Sequence, residues 1–269
     1  MNKLLLLIFF ISTACLCSQL KNQSHKPIHA VFAHGFWDYP DQVKNYKDFF
    51  SFLLRAFSFP EVKSGWINPL KTNMAQEGDI QELESQCVGL QKVILVGLSR
   101  GGSTIFTYLG TREHNHVKAA VIESPFDTLE AVVDSLICKR ACLGWVPGLA
   151  RFAKFCLPSL FRGYRRNGVK PIDVVHNIRA DLPILIICSL QDTLVPASSS
   201  IKLYKRLRET GHNHTYLLLL EHGKHSKLVF DKDAERYKKV VHAFCRQYDL
   251  PHDKRLADLG KADLDKCQP

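Results

Sequence analysis

The segment KVILVGLSRGG, residues 92–102, decides the fold of this chain. Its apolar first half, residues 92–96, predicts a buried strand, and residues 97–101 form the pattern Gly-x-Ser-x-Gly. The segment that follows, 102–112, has the apolar spacing of a helix. A serine at so sharp a strand-to-helix turn is strained, and glycines flank it because side chains there would collide with neighbouring chain. The turn therefore pushes the hydroxyl of Ser99 outward, where it can react.

Short β-rich runs recur along the rest of the chain and predict six strands in all. They cover residues 28–33, 62–67, 92–96, 118–122, 184–188 and 215–220. Segments with helical spacing lie between or after most of them, at 43–57, 77–89, 102–112, 197–210 and 231–248. This alternation predicts an α/β fold with a mostly parallel central sheet of about six strands flanked by helices.

One connection, between the strands at 118–122 and 184–188, is far longer than a crossover needs. It predicts an inserted cap at about 127–178, built from short helices because prolines and glycines interrupt it. Between Ser135 and Ile172 the cap has eight cations and five aromatic residues but no acid. They are Lys139, Arg140, Arg151, Lys154, Arg162, Arg165, Arg166 and Lys170, with Trp145, Phe152, Phe155, Phe161 and Tyr164. We expect this segment to attract an anionic membrane surface or a polyanionic substrate.

Length and composition are those of an ordinary globular chain. The 269 residues are 46% apolar and 23% charged, which excludes wholesale disorder and the collagenous, low-complexity and coiled-coil classes. A chain of this size forms one substantial core, so we expect a single domain over 28–248, followed by a polar tail at 251–269 that frays. Lys and Arg exceed Asp and Glu by 36 to 26, which favours anionic partners. Nucleic acid is not the expected partner, because the sequence has no recognised nucleic-acid-binding module.

The N-terminus has the order of a secretory signal peptide. A lysine precedes an apolar run at 4–11, and small residues continue before the chain turns polar. This run is shorter than the roughly 20 residues that span a bilayer. We therefore expect residues 1–17 to be removed, with cleavage after Ala14 or Cys17, and the mature protein to be secreted or periplasmic. Attachment of a lipid at Cys15 is the alternative.

Histidines and cysteines give no metal signature. The 12 His neither form HExxH nor combine with Cys at zinc spacing, so no metal is predicted. Removal of the signal peptide leaves an odd number of cysteines with no evident disulfide framework. Cys138, Cys142 and Cys156 lie close in sequence and are candidates for pairing. Cys188 and Cys245 fall on apolar faces and are expected to be buried thiols.

A serine hydroxyl becomes a nucleophile only when an imidazole takes its proton and a carboxylate orients that imidazole. Asp192 follows the predicted strand at 184–188, and His225 follows the one at 215–220. The carboxyl ends of parallel strands meet at one edge of a sheet, so the two side chains are expected to converge on Ser99.

Acyl transfer also needs backbone N–H donors for the oxyanion that develops on the substrate. The pair His34-Gly35 follows the first predicted strand, where glycine allows close approach. Two amides are therefore candidates for an oxyanion hole, that of Phe36 after this pair and that of Arg100 after the serine.

Together these motifs resemble the α/β-hydrolase superfamily, particularly its lipase, esterase and serine-aminopeptidase-like branches. The resemblance extends from residue 28 to about 248 and rests on HGF (34–36), GLSRGG (97–102), QDTLVP (191–196) and GKHS (223–226). It implies Ser99 as nucleophile, His225 as general base and acid, and Asp192 as the orienting acid, with a cap over the acyl pocket and no cofactor. One departure is Cys188-Ser189, which stands where the family often has His-Gly before the acid.

Alternatives remain open for both the residues and the activity. His222 is a second candidate base, and Glu123, at the end of a predicted strand, is a second candidate acid. The expected activity is that of a secreted serine hydrolase acting on carboxylic esters or acyl lipids. A serine peptidase or acyltransferase would use the same triad, because the pocket selects the substrate. A non-catalytic binding protein with this fold is the third reading.

Overall fold

The structure, a computed structural model, describes residues 28–35, 46, 48–54, 73–161 and 163–268. Its strands form one parallel sheet in which the strand order follows the chain. They are β1 (His29–Ala33), β2 (Val93–Leu98), β3 (Val117–Glu123), β4 (Ile184–Ser189) and β5 (Thr215–Leu220). The predicted parallel α/β architecture is confirmed. The strand predicted at 62–67, the signal peptide at 1–17 and Phe36 lie outside the described residues.

Nine helices of the described chain surround this sheet. They are α1 (Ser51–Leu54), α2 (Glu77–Cys87), α3 (Arg100–Thr111), α4 (Leu129–Ser135), α5 (Leu149–Leu160), α6 (Pro171–Val174), α7 (Ala197–Glu209), α8 (Ala234–Gln247) and α9 (Lys254–Asp265). The helices predicted at 77–89, 102–112, 197–210 and 231–248 are confirmed with small shifts of their ends, and α1 covers part of the one predicted at 43–57. No helix among the described residues combines the length and the apolar character that a membrane crossing requires.

Helices cover both faces of the sheet, which is why its central strands are mostly apolar. Every residue of β2 and of β4 is buried. Successive side chains of a strand point to opposite faces. In β2, Ile94 accordingly packs in the cluster that contains Phe244 of α8, and Leu95 packs in the cluster that contains Phe106 of α3. The sheet is thus a rigid layer between two cores.

The inserted segment at 127–178 contains α4, a π-helical turn at Leu136–Arg140, α5 and α6. The hydroxyl of Thr128 caps α4 by accepting the N–H of Ala131 at 3.2 Å. Leu157 of α5 is buried in a third apolar cluster, which also includes Phe126 and Val195. The cap therefore shares a core with the loop that follows β4.

The sequence predicted two buried thiols and three cysteines that could form a disulfide. Cys188 and Cys245 are buried thiols, as predicted, and burial raises the pKa of each to about 12. Cys138 and Cys156, two of the three candidates for pairing, carry free thiols.

The expectation that the tail at 251–269 frays is wrong, because this segment folds into α9. The carboxylate of Asp253 begins the helix by accepting the N–H of Leu256 at 2.9 Å. Small and apolar residues line its inner face at helical spacing, namely Ala257, Gly260 and Leu264. A Cβ atom at Gly260 would lie 2.1 Å from the carbonyl oxygen of Lys239 in α8, so only glycine permits this close packing. The many charged residues of the tail belong to its outer face.

Candidate active site

Ser99 lies at the sharp turn between β2 and α3. Its backbone has φ 51° and ψ −116°, a positive-φ conformation that a residue other than glycine adopts only under constraint. Its N–H donates to the carbonyl oxygen of Glu123 at the end of β3, at 2.8 Å. The strain predicted for this serine is therefore present, and the neighbouring strand holds the turn in place.

The glycines on either side of Ser99 are required by contact with neighbouring backbone. A Cβ atom at Gly97 would lie 2.8 Å from the backbone of Gly102, and one at Gly101 would lie 2.0 Å from the carbonyl oxygen of Ala33. The second contact places the end of β1 directly against the start of α3. The segment His34-Gly35 therefore begins beside the serine turn.

A chain of hydrogen bonds joins Ser99 to His225 and Asp192. The distance between Ser99 Oγ and His225 Nε2 is 2.8 Å, and that between His225 Nδ1 and Asp192 Oδ2 is 2.6 Å. A carboxylate can only accept, so Nδ1 carries the proton and Nε2 is left to accept from the serine hydroxyl. The structure thus brings together the three side chains that the sequence selected, although 126 positions separate the first from the last.

Asp192 is held by its own loop as well as by the imidazole. Its second oxygen, Oδ1, accepts the backbone N–H groups of Leu194 and Val195, both at 2.9 Å. Its own N–H donates to the carbonyl oxygen of Ser189 at 3.2 Å. The aspartate is only 4% exposed, so these bonds satisfy a charge that has little access to water. Ser189, where the family pattern differs, helps to form this turn, because its hydroxyl accepts the N–H of Gln191 at 3.1 Å.

The loop that carries His225 is fixed by strained backbone and by an aspartate. Gly223 has φ 130° and Ser226 has φ 56°, so the chain turns tightly on both sides of the histidine. Between them the N–H of Lys224 donates to Oδ2 of Asp231 at 3.0 Å. These constraints hold the imidazole above the ends of the strands.

The two alternative residues have other partners. The N–H of His222 donates to Oδ2 of Asp233 at 2.8 Å, and its ring nitrogen Nδ1 lies 3.5 Å from the same oxygen. Oε1 of the buried Glu123 accepts the hydroxyl of Tyr46 at 2.6 Å. Burial, together with the nearby Glu123 carboxylate, raises the pKa of Tyr46 well above its usual value. Neither alternative takes the place of His225 or Asp192 in the hydrogen-bond chain.

Of the two predicted oxyanion donors, the structure describes Arg100 but not Phe36. Arg100 is the first residue of α3, and the first four N–H groups of a helix have no partner within it. Its amide is therefore positioned at a helix N-terminus beside Ser99, where the helix dipole also favours negative charge. Phe36 lies outside the described residues, next to the described pair His34-Gly35.

A buried ion pair that was not predicted from the sequence joins Arg100 to Asp79 of α2. Nε and Nη2 of Arg100 each donate to one carboxylate oxygen at 2.8 Å, and Oδ2 of Asp79 also accepts the N–H of Ala75 at 2.8 Å. Both side chains are almost completely buried. The pair fixes the start of α3 to α2, and a shallow cleft beside it is lined by His34, Leu83 and other residues. No spacing in the sequence relates position 79 to position 100.

A metal centre is not formed by the described part of the chain, in which no three His, Cys, Asp or Glu side chains are grouped to hold an ion. The chemistry of the site is that of a serine with a proton acceptor, an orienting carboxylate and an adjacent helix N-terminus. This arrangement is suited to nucleophilic attack on a carbonyl carbon.

Comparisons with known proteins identify the family of this chain. The model of the prolyl oligopeptidase family matches residues 81–249, well over half of the chain. The uncharacterized protein YqkD of Bacillus subtilis is 29% identical over 149 residues, which are 55% of this chain and 46% of that protein. The match thus spans less than half the length of that relative.

Several solved structures share the fold. The Pyrococcus furiosus esterase Pf2001 has a TM-score of 0.60 and 16% identity, over 84% of this chain and 83% of the esterase. The acylaminoacyl peptidase of Pyrococcus horikoshii has a TM-score of 0.54 and 16% identity, over 86% of this chain and 39% of the peptidase. The monoacylglycerol lipase of Paleococcus ferrophilus has a TM-score of 0.54 and 16% identity, over 82% of this chain and 94% of the lipase. At this level of identity, the likeness concerns the fold.

Proposed function

This chain belongs to the prolyl oligopeptidase family, within the α/β-hydrolases, and on that premise we propose that it cleaves carboxylic esters or acyl lipids with Ser99, His225 and Asp192. The hydrogen-bond chain from Ser99 Oγ through the imidazole to the Asp192 carboxylate is the observation that carries the proposal. Both links are within hydrogen-bond distance, and the one between Ser99 and His225 is short enough for proton transfer.

The reaction proceeds through an acyl-enzyme. Ser99 Oγ attacks the carbonyl carbon of the ester while Nε2 of His225 takes the hydroxyl proton. The oxygen of the tetrahedral intermediate receives the negative charge and is stabilised by the backbone N–H of Arg100 and, in the proposal, that of Phe36. The intermediate collapses, the C–O bond to the alcohol breaks, and His225 gives its proton to the leaving oxygen.

Water then completes the cycle by the same steps in reverse. His225 takes a proton from water while the water oxygen attacks the acyl carbon. The bond to Ser99 Oγ then breaks, His225 returns that proton to Ser99, and the carboxylic acid is released. Asp192 holds the imidazole in the productive tautomer and stabilises the imidazolium that forms twice per turnover. Its remaining oxygen is held by two backbone N–H groups, which fix the carboxylate in this position.

The surroundings of Asp192 favour an apolar acyl group. Val195, whose N–H binds the aspartate, packs in a cluster with Phe126 and with Leu129 and Leu157 of the cap. These four side chains are buried against one another, so the region next to Asp192 is apolar. Burial of a CH₂ group is worth about 0.8 kcal/mol, and an ester whose acyl chain lies beside this cluster is therefore the proposed substrate.

A peptidase is the second candidate, and the family match favours it. The same three residues cleave an amide by the same steps, since the pocket, not the triad, selects the acyl donor. Amide substrates would have to be recognised by polar contacts along the peptide backbone. The two candidates differ in substrate and not in catalytic residues.

Export is part of the proposal. The lysine and apolar run within residues 1–17 are the basis for a secreted or periplasmic location. N-terminal sequencing of the protein recovered outside the cytoplasm tests it, with cleavage expected after Ala14 or Cys17. An uncleaved chain recovered from the cytoplasm would contradict it.

A fluorophosphonate probe tests the catalytic serine. Rapid labelling is expected for the native chain and for Ser85→Ala, which removes an exposed serine of α2, and labelling should be lost in Ser99→Ala. Equal labelling of the native chain and Ser99→Ala would reject the proposal.

Substrate class is decided by a second assay. p-Nitrophenyl esters of increasing acyl length are compared with aminoacyl nitroanilides under the same conditions. We expect kcat/KM to be higher for the esters and to rise with acyl length over the first few carbons. A preference for the nitroanilides would favour the peptidase.

A further inference from the structure

Large apolar side chains are concentrated on the outside of the cap. Nine of them are exposed in the described part of the chain, and five of the nine lie within residues 143–160. These five are Leu143 (39% exposed), Trp145 (77%), Phe152 (66%), Phe155 (65%) and Leu160 (51%). We call them the aromatic cap surface. Scattered single apolar residues are normal on a protein surface, whereas a local group of this kind marks an interaction site.

In helix α5 the exposed side chains do not belong to the face that packs on the core. Phe152 and Phe155 are three residues apart and share one side of the helix, while Leu157 lies on the opposite side and is buried. A surface helix normally has polar residues on the side away from the core. The helix is therefore apolar on both its inner and its outer side, and its outer side has no covering element among the described residues.

Exposed arginines accompany the exposed rings of the cap. The guanidinium of Arg166 lies 4.6 Å from the centre of the Phe155 ring and also donates to the carbonyl oxygen of that residue. Arg151 and Arg165 are exposed as well. No carboxylate of the described residues is within ion-pair distance of these three arginines.

The positive charge of the cap is nevertheless smaller than its sequence suggests. Lys154 binds Asp134 at 2.9 Å and Lys170 binds Glu130 at 3.1 Å, so acids of α4 neutralise two of the eight cations. Arg162 lies outside the described residues. Charge alone is thus a weaker argument for this surface than the combination of exposed rings with unneutralised arginines.

We propose that the aromatic cap surface docks on an anionic lipid bilayer, with the rings in the interfacial layer and the arginines on the phosphate groups. Exposed Phe, Trp and Leu side chains with cations nearby are the features that favour binding at a lipid interface, and Phe152 and Phe155 present them from one side of α5. A guanidinium also matches phosphate in charge and geometry. A second copy of this chain fits less well as the partner. In a two-fold contact the same surface faces itself, so the arginines of one copy would lie against the arginines of the other.

Docking would bring the active site to the membrane. Leu157 of the docking helix packs in the same cluster as Val195, whose N–H binds Asp192. The helix on the bilayer is therefore in contact with the loop that holds the orienting acid. Delivery of acyl lipids from the bilayer to Ser99 rests on the proposed function, whereas docking itself does not.

Sedimentation with vesicles tests the proposal on the full-length protein. Native protein and Ser99→Ala are expected to bind phosphatidylglycerol vesicles equally and phosphatidylcholine vesicles weakly. Phe152→Ser/Phe155→Ser should lower partitioning about a hundredfold, since burial of one Phe side chain is worth about a factor of ten or more. Arg165→Gln/Arg166→Gln should lower binding to the anionic vesicles by about thirtyfold, at about 1 kcal/mol for each of the two cations.

Val88→Ser/Leu259→Ser is the matched control, because it removes two exposed apolar side chains that lie outside the cap. This variant should bind as the native protein does. The emission of Trp145 gives a second measurement that needs no change in the phenylalanines: vesicles should shift it to the blue, and Trp145→Phe should abolish the shift.

Retained binding by Phe152→Ser/Phe155→Ser, or equal loss in the Val88→Ser/Leu259→Ser control, would overturn the proposal. So would a change of oligomeric state in the phenylalanine variant with no change in vesicle binding, since the surface would then join two copies. Hydrolysis of a short soluble ester is measured in parallel. Its absence with normal vesicle binding would contradict the proposed ester hydrolysis and leave the docking surface intact.

Discussion

Replacement of Asp192 by Asn tests the hydrogen-bond chain most directly, because the loop around the carboxylate dictates how the new amide is oriented. Oδ1 of Asp192 accepts two backbone N–H groups, those of Leu194 and Val195. In the variant only the amide oxygen can accept them, so the NH₂ group faces Nδ1 of His225. That group donates and thereby places the imidazole proton on Nε2, where it prevents His225 from accepting the proton of Ser99.

The size of the effect follows from the free energy needed to rotate the new amide by 180°, so that its oxygen and nitrogen exchange places. The reversed orientation restores the productive tautomer but leaves two buried N–H groups facing an NH₂ group, at about 1–3 kcal/mol for each. The total of about 2–6 kcal/mol corresponds to a fall in kcat of roughly 30-fold to 10⁴-fold, at about 1.4 kcal/mol per factor of ten. The backbone around Asp192 is unchanged, because asparagine has the same shape.

Turnover of a short p-nitrophenyl ester and the rate of fluorophosphonate labelling measure this loss. Glu123→Gln is the matched control, since the glutamine oxygen can still accept the hydroxyl of Tyr46, and its kcat should remain within a few-fold of native. A fall of less than about tenfold in Asp192→Asn would refute the tautomer argument. A severe loss in Glu123→Gln with a mild one in Asp192→Asn would move the role of the acid to Glu123.

Asp79→Asn leaves the guanidinium of Arg100 buried without its counter-charge, so the free energy of unfolding should fall by about 3–5 kcal/mol, and an unchanged urea midpoint would contradict this. Gly101→Ala would place Cβ 2.0 Å from the carbonyl oxygen of Ala33 and so distort the turn that holds Ser99. Rapid labelling of the serine by fluorophosphonate should therefore disappear. Labelling at the native rate would show instead that β1 can move away. Burial lowers the pKa of His212 to about 4, so the unfolded state takes up a proton first as the pH falls. This histidine alone should therefore lower the free energy of unfolding by about 2 kcal/mol from pH 6.5 to 5, and urea titrations of His212→Gln should lack this part of the slope.

Local pattern was sufficient to predict the elements that position the site. The apolar run before Ser99 and the helical spacing after it define a strand and a helix regardless of the rest of the chain. Asp192 and His225 follow two further runs of the same kind, so parallel topology alone predicts that they converge. That convergence could be predicted because it depends on periodicity and order, which a sequence contains.

Features that depend on contacts between distant segments could not be predicted in this way. From the sequence, Asp79 is an acidic residue in the first turn of a helix, where it interacts favourably with the helix dipole. Its contact with Arg100 exists only in the folded chain. The charged residues around Gly260 conceal the small inner face of α9, which has meaning only once α8 lies beside it. Helical spacing of Phe152 and Phe155 likewise does not say whether their side of the helix is buried or exposed.

The register of the sheet explains why so few loop residues are needed to assemble the site. Leu98 pairs with Glu123, and Ser189 pairs with Leu220, so neighbouring strands end level with one another. Ser99 follows the end of its strand immediately, and Asp192 and His225 follow theirs after short loops that are tied by backbone hydrogen bonds. The distances between the three side chains are therefore set by the spacing of the strands, about 4.8 Å per step, rather than by flexible segments. A one-residue change in register between β4 and β5 would move His225 away from Asp192 by about 3.3 Å, which is enough to break a 2.6 Å hydrogen bond. The apolar cores on both faces of the sheet, which fix that register, thus determine the geometry on which the proposed chemistry depends.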